Sequence, residues 1–138
     1  MNEQWLAFTR RYEGLNLHLY TCPTGHLTIG YGHNLGNGIS LQAALFILQE
    51  DMQNAQNAVR KAWSWWVQLN EVRQFVLVDM CFNMGLTKLR TFKKFLSAME
   101  RGDYHAAANE MLASRWAVQV GHRARELAKM MQTGEYLK

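Results

Sequence analysis

The sequence has little proline, cysteine or charge, and each scarcity excludes a class of protein. A single proline, with 19% charged and 12% aromatic residues, excludes a disordered chain. Two cysteines are too few for a disulfide framework. No apolar run approaches the roughly 18 residues of a membrane span, and the first residues lack the basic start and apolar core of a signal peptide. We therefore expect one soluble domain of 138 residues, made in the cytosol.

The net charge of +4 has two interpretations. One is that the charge reflects only a solvated surface with a few extra lysines. The other is that it attracts the protein to a polyanion such as nucleic acid, anionic lipid or a cell-wall polymer. The basic residues are scattered and form no nucleic-acid-binding motif. We expect no nucleic-acid partner and no stable membrane association.

Hydrophobic spacing predicts a mostly helical α+β domain with one β-hairpin. Apolar residues recur at helical spacing up to Gly14, then alternate over residues 15–20, and the turn at Pro23 precedes a returning strand over 26–31. A glycine-rich connector follows. Beyond it the pattern predicts a long helix capped by Ser40, and further helices over 71–84, 88–100, 103–113 and 122–132.

Glu13 stands out because a carboxylate in the last turn of a helix opposes the helix macrodipole. It is either an exposed helix-end glutamate screened by water, or a carboxyl that the dipole helps to keep protonated. A general acid working near neutral pH must be protonated.

Cys22 and Thr28 lie on either side of the predicted turn. A lone cysteine is usually a buried, inert small hydrophobe, and we assign Cys81, within an apolar helix, to the core. Cys22 adjoins a polar turn, which favours exposure and chemistry. A strand threonine is unremarkable by itself, so function depends on whether Glu13, Cys22 and Thr28 converge.

A metal site is the minor alternative for the same region. His18, Cys22 and His26 have the spacing H-x3-C-x3-H across the hairpin, and zinc takes such ligands. The spacing matches no compact zinc motif. We expect His33 to pair with a carboxylate instead, and Asp51 is the candidate.

Glu13, Cys22 and Thr28 are separated by eight and then five residues. This pattern resembles the signature of the phage-type lysozymes, the muramidases of the T4 lysozyme family: glutamate, eight residues, aspartate or cysteine, five residues, threonine. Other segments similar to the family are residues 11–15, 19–20, 27–33, 82–85, 92–96, 114–116 and 123–126. The resemblance covers nearly the whole chain in order.

The resemblance implies a single lysozyme-like domain over residues 1–138. A small hairpin lobe at about 15–39 would pack against a helical lobe at about 40–138 plus the first helix, with a cleft between. It implies a peptidoglycan hydrolase that cuts the β-1,4 bond between N-acetylmuramic acid and N-acetylglucosamine and lyses bacteria. Such an enzyme would act as a monomer on glycan strands of the cell wall, after release or from a virion, without a cofactor or metal.

The resemblance also implies the residue roles. Glu13 would be the general acid, Cys22 a base, water activator or nucleophile, and Thr28 the residue that holds the water. Phe82 and Asn83 would bind substrate. A thiol with an ordinary pKa of about 8.5 is only a few per cent ionised at neutral pH. Activity should therefore rise towards mildly alkaline pH until Glu13 loses its proton.

Arg123 could orient Glu13, or it could be a solvated surface residue.

The segment 34–39 is shorter than in many relatives, so the hairpin wall of the cleft should be smaller and substrate affinity is in doubt. The alternative function is a non-catalytic peptidoglycan-binding module, because folds outlive their activities.

Overall fold

The computed structural model describes all 138 residues and contains eight α-helices, two short 3₁₀ helices (Leu35–Asn37 and Ser64–Gln68) and one small sheet. The helices are α1 (Glu3–Glu13), α2 (Leu41–Ala62), α3 (Glu71–Met84), α4 (Leu86–Leu89), α5 (Lys93–Glu100), α6 (Tyr104–Leu112), α7 (Arg115–Val120) and α8 (His122–Thr133). The strands are β1 (Asn16–Thr21), β2 (Leu27–Gly30) and β3 (His33–Asn34). The α+β class predicted from the sequence is confirmed. None of the helices combines the length and apolarity that crossing a bilayer requires.

The chain divides into two compact units, which we call the sheet unit (Met1–Phe46) and the helical unit (Ile47–Lys138). The sheet unit contains α1, all three strands and the start of α2, and the helical unit contains the remainder. The prediction of one domain with a cleft between two lobes stays a prediction.

Helix α1 begins and ends where its capping residues predict. The side chain of Asn2 accepts a hydrogen bond from the Gln4 amide at 2.8 Å. Gly14 ends the helix with φ of +70° and donates its amide to the Arg10 carbonyl. Glu13 is therefore the last residue of α1, as predicted.

The sheet has three antiparallel strands rather than the two of the predicted hairpin. β2 is the central strand, and Thr28 on it lies opposite Tyr20 of β1 and Asn34 of β3. The unpredicted β3 has only two residues, which is too short for an alternating pattern to be detected. Gly32 just before it has φ of +73°, a conformation that glycine adopts without steric cost.

Two features of the helical unit differ from the sequence prediction. The helix expected over 88–100 is two helices, because a tight turn between them is closed by a bond from the Thr91 hydroxyl to the Lys88 carbonyl at 2.6 Å. Helix α7 was not predicted. The Ser114 side chain caps it by accepting a bond from the Ala117 amide, and Gly121 follows its end.

The helical unit is built around one apolar core. Its largest fully buried side chains are Trp116, Phe95, Leu77, Met80 and Leu89. Cys81 is also buried, as predicted, and burial raises the pKa of its thiol. Burial of these side chains supplies the main stabilising term for this unit.

Candidate functional site

A cavity of about 540 Å³ in the sheet unit brings the three signature residues together. Its lining consists of Glu13, Tyr20, Cys22, Pro23, Thr24, His26, Thr28, Gly32 and Asn34. The strand register explains most of this set, because Tyr20, Thr28 and Asn34 lie side by side across the three strands. Side chains two residues apart on a strand share a face, so Cys22 and His26 extend the same face beyond Tyr20 and Thr28.

Glu13 enters this cavity from the end of α1. Its carboxyl lies against the backbone of Gly32: a Cβ atom at Gly32 would contact Oε2 and come within 3.0 Å of the Glu13 Cδ. The glycine therefore leaves the space that the carboxyl occupies. No sequence pattern predicts this contact, because Glu13 and Gly32 come together only in the folded chain.

Cys22 is the first of the five residues, 22–26, that connect β1 to β2. Its carbonyl accepts a bond from the Gly25 amide at 2.8 Å, and its amide donates to the His26 carbonyl at 2.9 Å. Pro23 holds the second position of the turn and Gly25 has φ of +88°, a combination typical of such loops. The backbone around Cys22 is thus fixed on both sides.

The Cys22 sulfur lies among hydrogen-bond donors from the same loop. The Thr24 Oγ1 is 3.0 Å from the Sγ, and the His26 amide donates to the Sγ at 3.4 Å. The bond from Thr24, followed by that from His26, lowers the pKa of the Cys22 thiol to about 7. A larger fraction of the sulfur is therefore ionised at neutral pH than the few per cent expected from an ordinary cysteine.

Thr28 is the buried member of the set, with 3% of its surface exposed. Its hydroxyl donates to the His26 carbonyl at 2.8 Å. The single hydroxyl proton is committed to this bond, which leaves the oxygen lone pairs to accept a hydrogen bond. Thr28 can therefore hold a water molecule as an acceptor.

The histidines of the sheet unit form neither a zinc site nor a pair with a carboxylate. The structure contains no group of three or more His, Cys, Asp or Glu side chains that could hold a metal ion, so His18, Cys22 and His26 do not assemble the alternative zinc site. The His33 Nε2 lies 2.8 Å from the Gly38 carbonyl, a backbone partner rather than the carboxylate predicted.

The other predicted site residues lie in the helical unit. Phe82 is 38% exposed near the end of α3. The neighbouring Asn83 accepts a bond from the indole of the buried Trp116 at 2.8 Å, so one end of its amide supports the core. The Arg123 guanidinium forms two bonds with Asp79, at 2.8 and 3.0 Å, and this partner raises the pKa of Arg123. The substrate-binding and orienting roles of these residues stay predictions.

Sequence reasoning missed Thr24, Gly32 and Asn34 as lining residues. A turn signal was present at Thr24, since a Pro-x-Gly loop places the residues around it within reach of each other. Asn34 and Gly32 belong to the short third strand and its turn, for which the sequence carries no periodic pattern.

Comparison with known proteins places these residues in a family. The family model described as "Phage lysozyme" matches residues 10–132. The chain is 32% identical over 121 residues to "Endolysin" of Acyrthosiphon pisum secondary endosymbiont phage 1, covering 85% of this chain and 80% of that protein. It is 28% identical over 162 residues to "Pre-baseplate central spike protein Gp5" of Enterobacteria phage T4, covering 96% of this chain and 28% of that protein. It is 24% identical over 152 residues to "Probable T4-type lysozyme 1" of Dictyostelium discoideum, covering 88% and 89%.

Proposed function

Because this chain belongs to the phage lysozyme family and is a peptidoglycan hydrolase, we propose that it cleaves the β-1,4 bond between N-acetylmuramic acid and N-acetylglucosamine, using Glu13, Cys22 and Thr28. The resemblance noted in the sequence is confirmed by the family match. One observation carries the assignment of the site: three residues with the family's spacing line one cavity of about 540 Å³.

Glu13 is the general acid in this proposal. Breaking a glycosidic bond requires a proton on the leaving oxygen, and a positioned carboxylic acid supplies it. Placement at the carboxyl end of α1 supports this role, because it brings the carboxyl into the cavity that Cys22 and Thr28 also line. The close approach of Gly32 fixes where the carboxyl lies.

Cys22 handles the attacking side of the reaction. As a base, the thiolate takes a proton from water while the water oxygen bonds to the anomeric carbon and the glycosidic oxygen leaves with the proton from Glu13. As a nucleophile, the sulfur itself bonds to the anomeric carbon while the glycosidic oxygen leaves with the proton from Glu13. In a second step water bonds to the anomeric carbon, gives its proton to the Glu13 carboxylate and displaces the sulfur as thiolate. A sulfur with a pKa of about 7 is ionised enough at neutral pH for either role.

Thr28 positions the water. Its hydroxyl oxygen lies at the buried floor of the cavity with its proton engaged by the His26 carbonyl. A water molecule that donates a hydrogen bond to this oxygen would be held next to the Cys22 loop.

Phe82 and Asn83 are proposed to contact the glycan, and Arg123 to orient Glu13. Both substrate-binding candidates are exposed at the end of α3. The site of action would be the bacterial cell wall, where a mildly basic enzyme meets an anionic polymer. We propose that the enzyme works there as a monomer.

The test is hydrolysis of purified peptidoglycan by the wild type, Glu13→Gln and Glu3→Gln, measured as new reducing ends. Glu3 lies in the first turn of the same helix and is the matched control. Glu13→Gln should lower the rate by about 10²–10⁴-fold, the usual contribution of a general acid, and Glu3→Gln should leave it unchanged. Borohydride reduction followed by mass spectrometry should find reduced muramic acid at the new ends.

Three other outcomes would contradict the proposal. Reduced glucosamine in place of reduced muramic acid would move the cleavage to the other bond of the glycan. A Glu13→Gln rate within a few-fold of the wild type would remove Glu13 as the acid. A folded wild type that pellets with the cell wall and releases no reducing ends would be the non-catalytic binding module.

A further inference from the structure

The loop that closes on Cys22 contains a residue to which the family spacing assigns no role. Thr24 is exposed, and its Oγ1 lies 3.0 Å from the Cys22 Sγ. This is the only hydrogen bond that the Thr24 side chain makes within the protein. Its hydroxyl proton is therefore available to the sulfur.

Thr28 contributes less to the lowered pKa of the Cys22 thiol than Thr24 does, and its hydroxyl already has a backbone partner. Its hydroxyl has one proton, and that proton goes to the His26 carbonyl at 2.8 Å. The two threonines are thus bonded differently: Thr28 donates to a backbone carbonyl, whereas the Thr24 hydroxyl is free to donate to the Sγ when the sulfur is ionised.

The backbone fixes the position of Thr24 relative to the sulfur. The bonds from the Gly25 amide to the Cys22 carbonyl and from the Cys22 amide to the His26 carbonyl close the loop on both sides of Thr24. The His26 amide adds a second donor to the Sγ at 3.4 Å. Charge-assisted bonds of this kind are stronger to an anion than to a neutral acceptor, so two donors favour the thiolate.

We propose that Thr24 is a positioning residue for the reaction, whose hydroxyl, together with the His26 amide, holds the Cys22 sulfur as an anion inside the catalytic cavity. This inference rests on the proposed function for the use made of the sulfur, but not for its ionisation. The other titratable groups that line the cavity are Glu13, Tyr20 and His26. A Glu13 carboxylate would oppose the sulfur anion and a protonated His26 would favour it, which makes His26 a necessary control.

The first measurement is the pH dependence of Cys22 alkylation by iodoacetamide, followed by peptide mass spectrometry on the folded protein. Cys81 is buried and serves as the internal control for unfolding. The variants are Thr24→Val, which removes the donor at constant shape, and Thr24→Ser, which restores it. The matched controls are Thr21→Val, an exposed threonine next to Cys22 without a bond to the sulfur, and His26→Gln, which keeps the backbone amide.

The wild-type profile should have its midpoint near pH 7, in line with the lowered pKa of Cys22. Thr24→Val should move the midpoint upward by about one pH unit, towards the ordinary cysteine value of about 8.5. Thr24→Ser and Thr21→Val should leave it near the wild-type value. His26→Gln should shift it less than Thr24→Val does.

The second measurement is peptidoglycan hydrolysis by the same variants at pH 6.5 and pH 9. With a midpoint near 8, the ionised fraction at pH 6.5 is about eightfold smaller than in the wild type. The ratio of the Thr24→Val rate to the wild-type rate should therefore fall by up to that factor at pH 6.5 and return close to one at pH 9. Thr24→Ser should match the wild type at both values.

An unchanged alkylation midpoint in Thr24→Val would overturn the proposal whatever the hydrolysis rates are. So would a shifted midpoint with the same relative rate at both pH values, because the reaction would then not use the anion. Alkylation needs no substrate, so these outcomes are distinguishable from a failure of the proposed function, which the Glu13→Gln comparison reports separately.

Discussion

The two compact units of this protein differ in what lies inside them. Every buried apolar side chain belongs to the helical unit, whose core extends from Ala55 to Met131. In the sheet unit the only buried side chain is Thr28, a polar residue. The loop around Cys22 in the sheet unit is held by backbone hydrogen bonds and by the conformational freedom of glycine.

This difference implies that the helical unit supplies most of the stability and that the sheet unit supplies the chemistry. Burial of apolar surface is non-directional and tolerates small shifts in geometry, whereas hydrogen bonds weaken steeply when distances and angles change. A region organised by such bonds can hold the sulfur and carboxyl groups in defined positions. We therefore expect substitutions in the helical core to change the free energy of unfolding, and substitutions around the cavity to change the rate.

The largest expected effect in this comparison is a loss of unfolding free energy caused by a substitution in the core of the helical unit. Val76 is fully buried in α3 and Val118 is 84% exposed in α7, so the two form a matched pair for replacement by alanine. Val76→Ala should lower the free energy of unfolding by about 2–3 kcal/mol, from two lost methyl groups and the cavity left behind. Denaturant unfolding measures it.

Val118→Ala removes the same atoms from the surface and should change the unfolding free energy by no more than about 0.5 kcal/mol. The hydrolysis rate of folded Val76→Ala at low temperature should match the wild type. Equal destabilisation by both substitutions would show that the buried core does not have the role assigned to it.

The second largest expected effect is a loss of kcat caused by displacing the Glu13 carboxyl. In Gly32→Ala the added Cβ would contact the Glu13 carboxyl, while Gly30→Ala adds a Cβ with nothing within 4 Å. The two glycines have φ values of +73° and +70°, so the backbone cost of alanine, about 1–2 kcal/mol, is common to both. Gly32→Ala should reduce kcat by about 10–100-fold, because a displaced catalytic group loses that much.

Steady-state hydrolysis of solubilised glycan strands gives kcat, and denaturant unfolding gives the free energy of unfolding of each variant. Gly30→Ala should lose stability without a comparable loss of kcat. If both alanines lower kcat equally, backbone strain is the cause and the contact with Glu13 is not.

The smallest effect is the pH dependence contributed by Cys22. Aspartate at this position stays ionised above about pH 5, since its ordinary pKa is about 3.9, whereas the Cys22 thiol has a pKa of about 7. The ratio of wild-type to Cys22→Asp rates therefore compares a side chain that ionises within the tested range with one that stays charged throughout it. The ratio should rise with pH, up to tenfold per unit well below pH 7, and become constant above about pH 8.

Initial rates on purified peptidoglycan between pH 5.5 and pH 9 test this, with Cys81→Ala as the matched cysteine control. A ratio that stays constant across this range would mean that the ionisation of Cys22 does not limit the reaction. The Thr24 and His26 bonds to the sulfur lower the pKa of Cys22, so we expect the rise in activity near neutral pH and not at mildly alkaline pH.

Local signals predicted much of the secondary structure. Asn70 caps α3 through a bond from the Arg73 amide at 3.0 Å, and Gly14, Gly85 and Gly134 end their helices as expected. The two-residue strand β3 and the break before α5 were missed. A strand of two residues has no period to detect, and the apolar spacing continues across the break although the chain does not remain helical.

The sequence by itself determined the family, the hairpin and the spacing of Glu13, Cys22 and Thr28, because caps, turns and residue spacing are encoded locally. The tertiary structure decided which side chains face each other around the cavity. The contact of Gly32 with the Glu13 carboxyl and the three-strand register at Thr28 join residues distant in the chain. Even the short-range bond between Thr24 and the Cys22 sulfur depends on the folded geometry of its loop, since a distance and an angle decide whether a hydrogen bond exists.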